Sequence, residues 1–271
     1  NAEPLKTKLA ANPSILRIAK SFSIPTQVWD GEQYKAFGVE NPAIVDFSNI
    51  RADEDYLDLL GVEFIAGRNF DKDRINDKYG VILNEEAVKI LGWGTRETYA
   101  NDSPVGKFVL QAFDQEKKLE VIGVVRNFNF NSVRDRIDPL MVIHVQNDWF
   151  WNYGSGPSFL SIRLNPETVN NPGELQSIID MVKDEVTKID GSVPFEYSFM
   201  DQDFENTFRT ESKMGIVLNI FTFMAMIIAC LGLFGLAAFS AEQRIKELGI
   251  RKVLGAKVSE LMVVFTSEFT K

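Results

Sequence analysis

The sequence predicts an α+β domain built on a mixed sheet in two lobes. A long helix then leads into one membrane-spanning helix and a cytoplasmic amphipathic helix. Three observations carry this expectation. Residues 1–214 alternate strand-like and helix-like stretches, without repeats or low-complexity tracts. Residues 215–239, "GIVLNIFTFMAMIIACLGLFGLAAF", run for 25 residues without a charged side chain. At ~1.5 Å per residue such a run crosses a hydrocarbon core of ~30 Å. A dense set of charges, glycines and leucines, "SAEQRIKELGIRKVLGAKVSEL", starts where that run stops. The expected divisions are an outer domain over 1–200, a stalk helix over 201–214, the membrane helix over 215–240 and a cytoplasmic segment over 241–271.

Within the outer domain, "SILRIAKSFS" and "AIVDFSNI" alternate and carry β-branched residues, which predicts strands. "DEDYLDLLG" reads as a short helix, with an acidic first turn, apolar Tyr56, Leu59 and Leu60, and Gly61 as its stop. "YGVILNEEAVKILGWG" is a strand running into a helix that Asn84 caps and Gly92 ends. "GKFVLQAF" and "KKLEVIGVVRNFNF" predict a hairpin turning at the polar "DQEKK". "PLMVIHVQ" and "FLSIRLN" are two further strands, separated by an aromatic loop containing "DWFWNY". "NPGELQSIIDMVKDEVTKID" places Leu175, Ile178, Ile179, Val182, Val186 and Ile189 on one helical face. "PFEYSFM" predicts a short last strand, and "DQDFENTFRTESKM" continues without a breaker into the apolar run. "VENPAIVD" and "KDRINDKYG" are the expected seams between lobes.

Charge divides the chain. Residues 215–271 hold six Lys/Arg and four Asp/Glu, a balance of +2, so with −9 for the whole chain residues 1–214 carry −11. An acidic surface of that kind does not neutralise phosphates, and no nucleic-acid partner is expected. The single cysteine, Cys230, excludes an internal disulfide and two-cysteine metal or redox motifs. His144, the one histidine, lies within a strand-like run and is read as a strand residue rather than a metal ligand. The pairs Asp71/Asp73 and Asp201/Asp203 are read as a solvated turn and a helix start. No catalytic constellation or phosphate-binding glycine loop is present, and the chain is expected not to be an enzyme. Beginning at Asn1 without a signal peptide, it is expected to be a piece of a longer protein.

Arg244, Lys246, Arg251, Lys252 and Lys257 follow the apolar run within about twenty residues, whereas only Arg209 and Lys213 precede it as closely. The excess of cations marks the cytoplasmic side, which puts residues 1–214 outside and 241–271 inside. Ala225, Ala229, Gly232 and Gly235 supply small residues along the run, where another membrane helix can approach closely. Ile245, Leu248, Leu254, Val258, Leu261 and Phe265 are expected to form an apolar stripe in the segment that follows, with Gly249 and Gly255 breaking or bending the helix.

"AEQRIKELGIRKVLGAKVSEL", directly after "IACLGLFGLAAF", resembles the second membrane helix and following cytoplasmic segment of MacB/FtsX-type ABC transporter permeases, in their Bacteroidetes-like form. The residues carrying this are Arg244, Lys246-Glu247, Gly249-Ile250-Arg251-Lys252 and Gly255-Ala256. "NPAIVDFSNIRADEDYLDLLGVEFIAGRNF", "VILNEEAVKILGW", "SPVGK" and "VIGVVRNFNFNSVRDRIDPL" resemble the periplasmic core domain of the same family. Such permeases have four or more membrane helices, so the chain would be the piece between the first span and the start of the third, or its counterpart in an eight-span protein.

The resemblance implies an inner-membrane permease that pairs with a second copy or a related permease and with a cytoplasmic ABC ATPase. ATP and magnesium would belong to that ATPase, and no cofactor is expected in this chain. It implies that Arg244, Glu247, Gly249, Ile250, Arg251, Lys252, Gly255 and Ala256 form the coupling segment that meets the ATPase. It also implies that the periplasmic domain acts on an adaptor or substrate protein. The rival expectation is a membrane-anchored periplasmic binding or sensor protein without an ATPase.

Overall fold

The computed structural model describes residues 3–28, 31–131, 136–149, 158–189, 191, 194–243 and 245–255. Residues 1–207 form one compact unit and residues 208–271 a second.

Six strands of the first unit close into a ring. In spatial order they are β2 (Gly31–Ala36), β6 (Phe108–Gln111), β7 (Asp114–Val125), β5 (Gly80–Asn84), β8 (Leu140–His144) and β3 (Val45–Ala52). β2 closes the ring because its first half pairs with β3 and its second half with β6, the two registers overlapping at Tyr34. The pairings β3–β8 and β5–β7 are parallel and the rest antiparallel, giving the mixed sheet expected. All six strands contribute to one buried cluster that includes Tyr34, Phe47, Val81, Leu83, Val109, Leu119, Met141 and Ile143. A cluster fed by every strand of a closed ring is its interior. Ala87, Val88 and Leu91, from α3 (Glu85–Ile90) and its last turn, join it together with Trp93.

Alternate residues of the same strands, Ile50, Ile82, Leu140 and Val142, face outward. They pack under α2 (Tyr56–Leu60), Phe70 and Phe130. The strands are therefore buried on both faces, which explains near-continuous apolar runs such as "GVILN".

β4 (Phe64–Gly67) lies along β7. A Cβ on Gly67, whose φ is +69°, would stand 2.3 Å from the Ile122 carbonyl oxygen. One on Gly123 would stand 2.4 Å from the Arg68 carbonyl oxygen. The two backbones meet at a distance only glycine permits.

The smaller lobe holds β1 (Ile15–Ser21), β9 (Phe159–Leu164), α1 (Glu3–Leu9), α4 (Pro166–Val169) and α5 (Pro172–Ile189). Leu9, Ile15, Ile18, Ile178 and Val182 form its own core. β1 pairs with β9 along its length but with β3 only at Ser21↔Ala52, and there the two lobes join. The expected seams at "VENPAIVD" and "KDRINDKYG" both fall inside the larger lobe.

Two expectations of local structure are corrected. The β6–β7 hairpin turns at Ala112-Phe113, because Gln111 pairs with Asp114 and the polar "DQEKK" continues as strand. Lys118 of that strand lies 3.8 Å and 4.0 Å from the ring centres of Phe37 and Phe108, so its charge is used in place. "PFEYSFM" forms no ladder among the described residues. Its Phe195 packs against the core of the smaller lobe, and Tyr197 contacts the rings of Phe195 at 5.9 Å and Phe199 at 5.8 Å. As expected, the stretch "DQDFENTFRTESKM" continues unbroken into the apolar run as one helix, α6 (Met200–Gln243), of 44 residues.

Candidate functional site

The apolar part of α6, Gly215–Ser240, is 26 residues long and none of it is buried. It is the one helix among the described residues long and apolar enough to cross a membrane. Phe221, Leu231 and Phe234 are fully displayed, an apolar surface that water does not tolerate over such a length. Thr222 donates its hydroxyl to the Leu218 carbonyl at 2.9 Å, satisfying a polar group within the helix itself.

Ala225, Ala229 and Gly232 fall within an arc of about 60° on this helix, and Gly235 lies about 60° beyond, from the geometry of 3.6 residues per turn. All four are exposed, and a Cβ added at Gly232 or Gly235 would meet nothing within 4 Å. Three of the four thus share a face and the fourth borders it.

After α6 the chain makes a second helix, α7 (Ile245–Val253). Its end is set by Gly255, at φ +97°, whose N–H reaches the Lys252 carbonyl at 3.2 Å, an ending of the left-handed kind that glycine adopts freely. Gly249 does not break the helix. It is an interior, exposed position where an added side chain would meet nothing.

Of the expected apolar stripe, Ile245 and Leu254 have described side chains, and both are exposed. Lys246, Gly249, Ile250, Val253 and Leu254, spaced three and four apart, line one shallow apolar groove. Ile245 falls to its flank. Arg244, Ala256, Val258, Leu261 and Phe265 lie outside the described residues. Lys252 is exposed.

In the first unit, the charged groups form structural pairs. Lys6 of α1, only 9% exposed, donates to Asp53 at 2.8 Å and Asp55 at 2.7 Å. Burial works against its charge, but the two carboxylates outweigh burial and lift the ammonium above its usual value. Asp53 also accepts the Lys20 N–H at 2.7 Å. His144 is a buried strand residue, as expected, with Nε2 3.6 Å from Glu54 Oε2. The imidazole draws the Glu54 carboxyl down to about 2, against burial and with help from Lys6.

Asp71 accepts the Asp73 N–H at 3.0 Å and pairs with Arg74, a solvated turn. Asp201 and Asp203 occupy the first turn of α6, where negative charge suits the helix dipole. Asp203 accepts the Ser198 hydroxyl at 2.6 Å. Of the aromatic loop, Trp149 is described and stacks on Tyr79 at 4.6 Å. Phe150, Trp151 and Tyr153 lie outside the described residues.

Residues 5–180 match the MacB-like periplasmic core domain, and residues 219–270 match the FtsX-like permease C-terminal domain. The macrolide export ATP-binding/permease protein MacB of Aggregatibacter actinomycetemcomitans is 24% identical over 220 residues, covering 79% of this chain and 31% of that protein. An uncharacterized ABC transporter permease of Methanocaldococcus jannaschii is 24% identical over 195 residues, 68% of this chain and 44% of that one. The chain therefore spans about a third of the length of the MacB relative. The extracellular domain of the noncanonic ABC-type transporter YknZ from Gram-positive bacteria aligns with a TM-score of 0.46 and 15% identity, over 70% of this chain and 84% of that one.

Proposed function

The chain belongs to the MacB/FtsX-like family of ABC transporter permeases, and from that premise we propose that it converts ATP hydrolysis on a cytoplasmic ABC ATPase into movement of a periplasmic domain. Residues 1–214 face the periplasm, α6 crosses the inner membrane and residues 241–271 face the cytoplasm. The permease works paired with a second copy or a related permease, packed along Ala225, Ala229 and Gly232. ATP and magnesium are bound by the ATPase, and this chain contributes force transmission rather than a chemical step. Its periplasmic domain acts on an adaptor or a substrate protein.

One observation carries this reading: an uncharged, fully displayed helix is followed at once by α7, whose apolar groove is open among basic positions. Glycine in a helix interior costs ~1 kcal/mol relative to alanine. Gly249 keeps that cost and leaves a bare spot between Lys246, Ile250 and Val253. Such a spot lets a partner's side chain approach the backbone. In this account Ile250, Val253 and Leu254 seat on the ATPase, and Glu247, Arg251 and Lys252, with Arg244, ring the contact with charge.

Substituting Glu247→Ala and Arg251→Ala in the full-length permease tests the assignment by pull-down of the ATPase and an ATPase assay in membranes. Both binding and turnover are expected to fall several-fold. Undiminished binding and turnover in the double variant remove the coupling role from these residues.

A further inference from the structure

His144, the chain's one histidine, stands where β8 leaves the sheet. Its ring is 6% exposed and sits against Phe70, with 5.1 Å between centroids. The parallel register sets it opposite Ala52, beside the acidic run 53–55.

Each ring nitrogen has its own neighbour. Nε2 lies 3.6 Å from Glu54 Oε2, and Nδ1 accepts the Gln146 N–H at 3.3 Å. That second contact starts a turn. The Val145 N–H donates to the Ala52 carbonyl at 3.1 Å, the Asn147 N–H to the His144 carbonyl at 3.0 Å, and the Trp149 N–H to Asn147 Oδ1 at 3.0 Å. Among the described residues, the 3% exposed Asn147 has no hydrogen-bond partner for its Nδ2.

A neutral imidazole has one N–H and one bare nitrogen, whereas an imidazolium has two N–H groups and no acceptor. With Gln146 on Nδ1, the ring's proton is on Nε2, facing Glu54. A second proton must go to Nδ1, where it meets the Gln146 N–H donor against donor. We propose that His144 is a proton-operated clasp on the turn Val145–Trp149. Neutral, it holds the turn through Gln146. Protonated, it releases Gln146 and grips Glu54 as an ion pair.

Charged groups approach the ring from the elements packed around it. Glu54 faces the ring, Asp53 and Asp55 flank it, and Lys6 is engaged by those two carboxylates. From the Phe70 side, Arg68 is taken up by Asp77, with 2.8 Å between Nη2 and Oδ1. From the turn, Asp148 is held by Lys78 at 2.9 Å. Glu54 is ionised at any pH well above 2, so it faces the ring as an anion. What the turn controls is Trp149, stacked on Tyr79 and packed against the core of the ring.

The test uses the 271-residue chain in lipid nanodiscs with isotope-labelled histidine, which gives a single imidazole signal to titrate from pH 5 to 8. Amide exchange over Gln146–Trp149 is followed in parallel and corrected for its intrinsic pH dependence. Exchange there is expected to rise at least tenfold on acidification, with the same midpoint as the imidazole. His144→Gln should abolish the rise. Glu54→Gln should keep it and move both midpoints together to lower pH, since removing an anion disfavours the cation. An imidazole that titrates without a change at 146–149, or that does not titrate in this range, overturns the proposal. So does a rise that persists in His144→Gln. If His144→Gln fails to fold, the shared shift in Glu54→Gln decides, and midpoints that separate overturn the clasp.

Discussion

Lys6 Nζ lies 2.8 Å from Asp53 Oδ2, joining α1 of the smaller lobe to the end of β3 in the larger one. Both side chains are nearly buried, and Asp55 and the Lys20 N–H complete the arrangement. Across the junction where the sheet narrows to the single pair Ser21↔Ala52, this contact is a buried charged tie, beside the more exposed pair Arg17–Asp58.

Replacing Lys6 by Met leaves Asp53 buried without its cation. Removing one partner of a buried pair costs ~3–5 kcal/mol. Denaturant unfolding of Lys6→Met is expected to show a loss of that order, and Lys6→Met with Asp53→Asn should recover part of it.

Asn84 is expected to be among the most sensitive single polar residues. It is 1% exposed, caps α3 by accepting the Ala87 N–H at 2.9 Å, accepts the Leu140 N–H at 2.9 Å and donates to the Asp138 carbonyl at 2.9 Å. Asn84→Ala removes a cap worth ~1 kcal/mol and strands buried groups at ~1–3 kcal/mol. Thermal unfolding should report a loss of about 2–4 kcal/mol, with Asn84→Asp losing less.

The close approach of β4 and β7 predicts that Gly67→Ala and Gly123→Ala are severely destabilising, since the intruding atom meets backbone on the opposite strand. Gly106→Ala is the control. Its φ of +87° is strained for alanine but its surroundings are open, so it should cost only ~1–2 kcal/mol. Equal costs at the three positions would contradict the close-contact argument.

Glu54 predicts an acid limb to stability. Its folded value of about 2 lies below the ordinary 4.5. A depressed carboxyl contributes stability that is present above the unfolded value and is lost as pH falls through the folded one. The contribution is on the order of 2–3 kcal/mol. Unfolding free energies measured between pH 5 and pH 2 should fall less steeply in Glu54→Gln than in the parent chain.

The parts of this fold legible in sequence were those that local chemistry encodes. Asn84 followed by two glutamates announces a capped helix, Gly61 its neighbour's end, and 25 uncharged residues a membrane-length helix. Contacts made at long range were not legible. Lys6 and Asp53 are 47 residues apart, and β2, "GEQYKA", carries too few apolar residues to read as a strand. It becomes one because it has partners on both sides. In α7 the motif was recognisable but its faces were not. Gly249 looked like a break, yet it lies inside the helix, beside Ile250, Val253 and Leu254 in one shallow apolar groove.

The account's central claim is that the groove of α7 meets an ATPase. The most direct measurement is cross-linking from Ile250→Cys, in a Cys230→Ser background, to the ATPase in native membranes with and without ATP. The account predicts a permease–ATPase cross-link whose yield changes several-fold with nucleotide, and none from Phe113→Cys on the outer domain. An Ile250→Cys that is labelled only from the periplasmic side, or that never cross-links to the ATPase while the complex turns over, would contradict it.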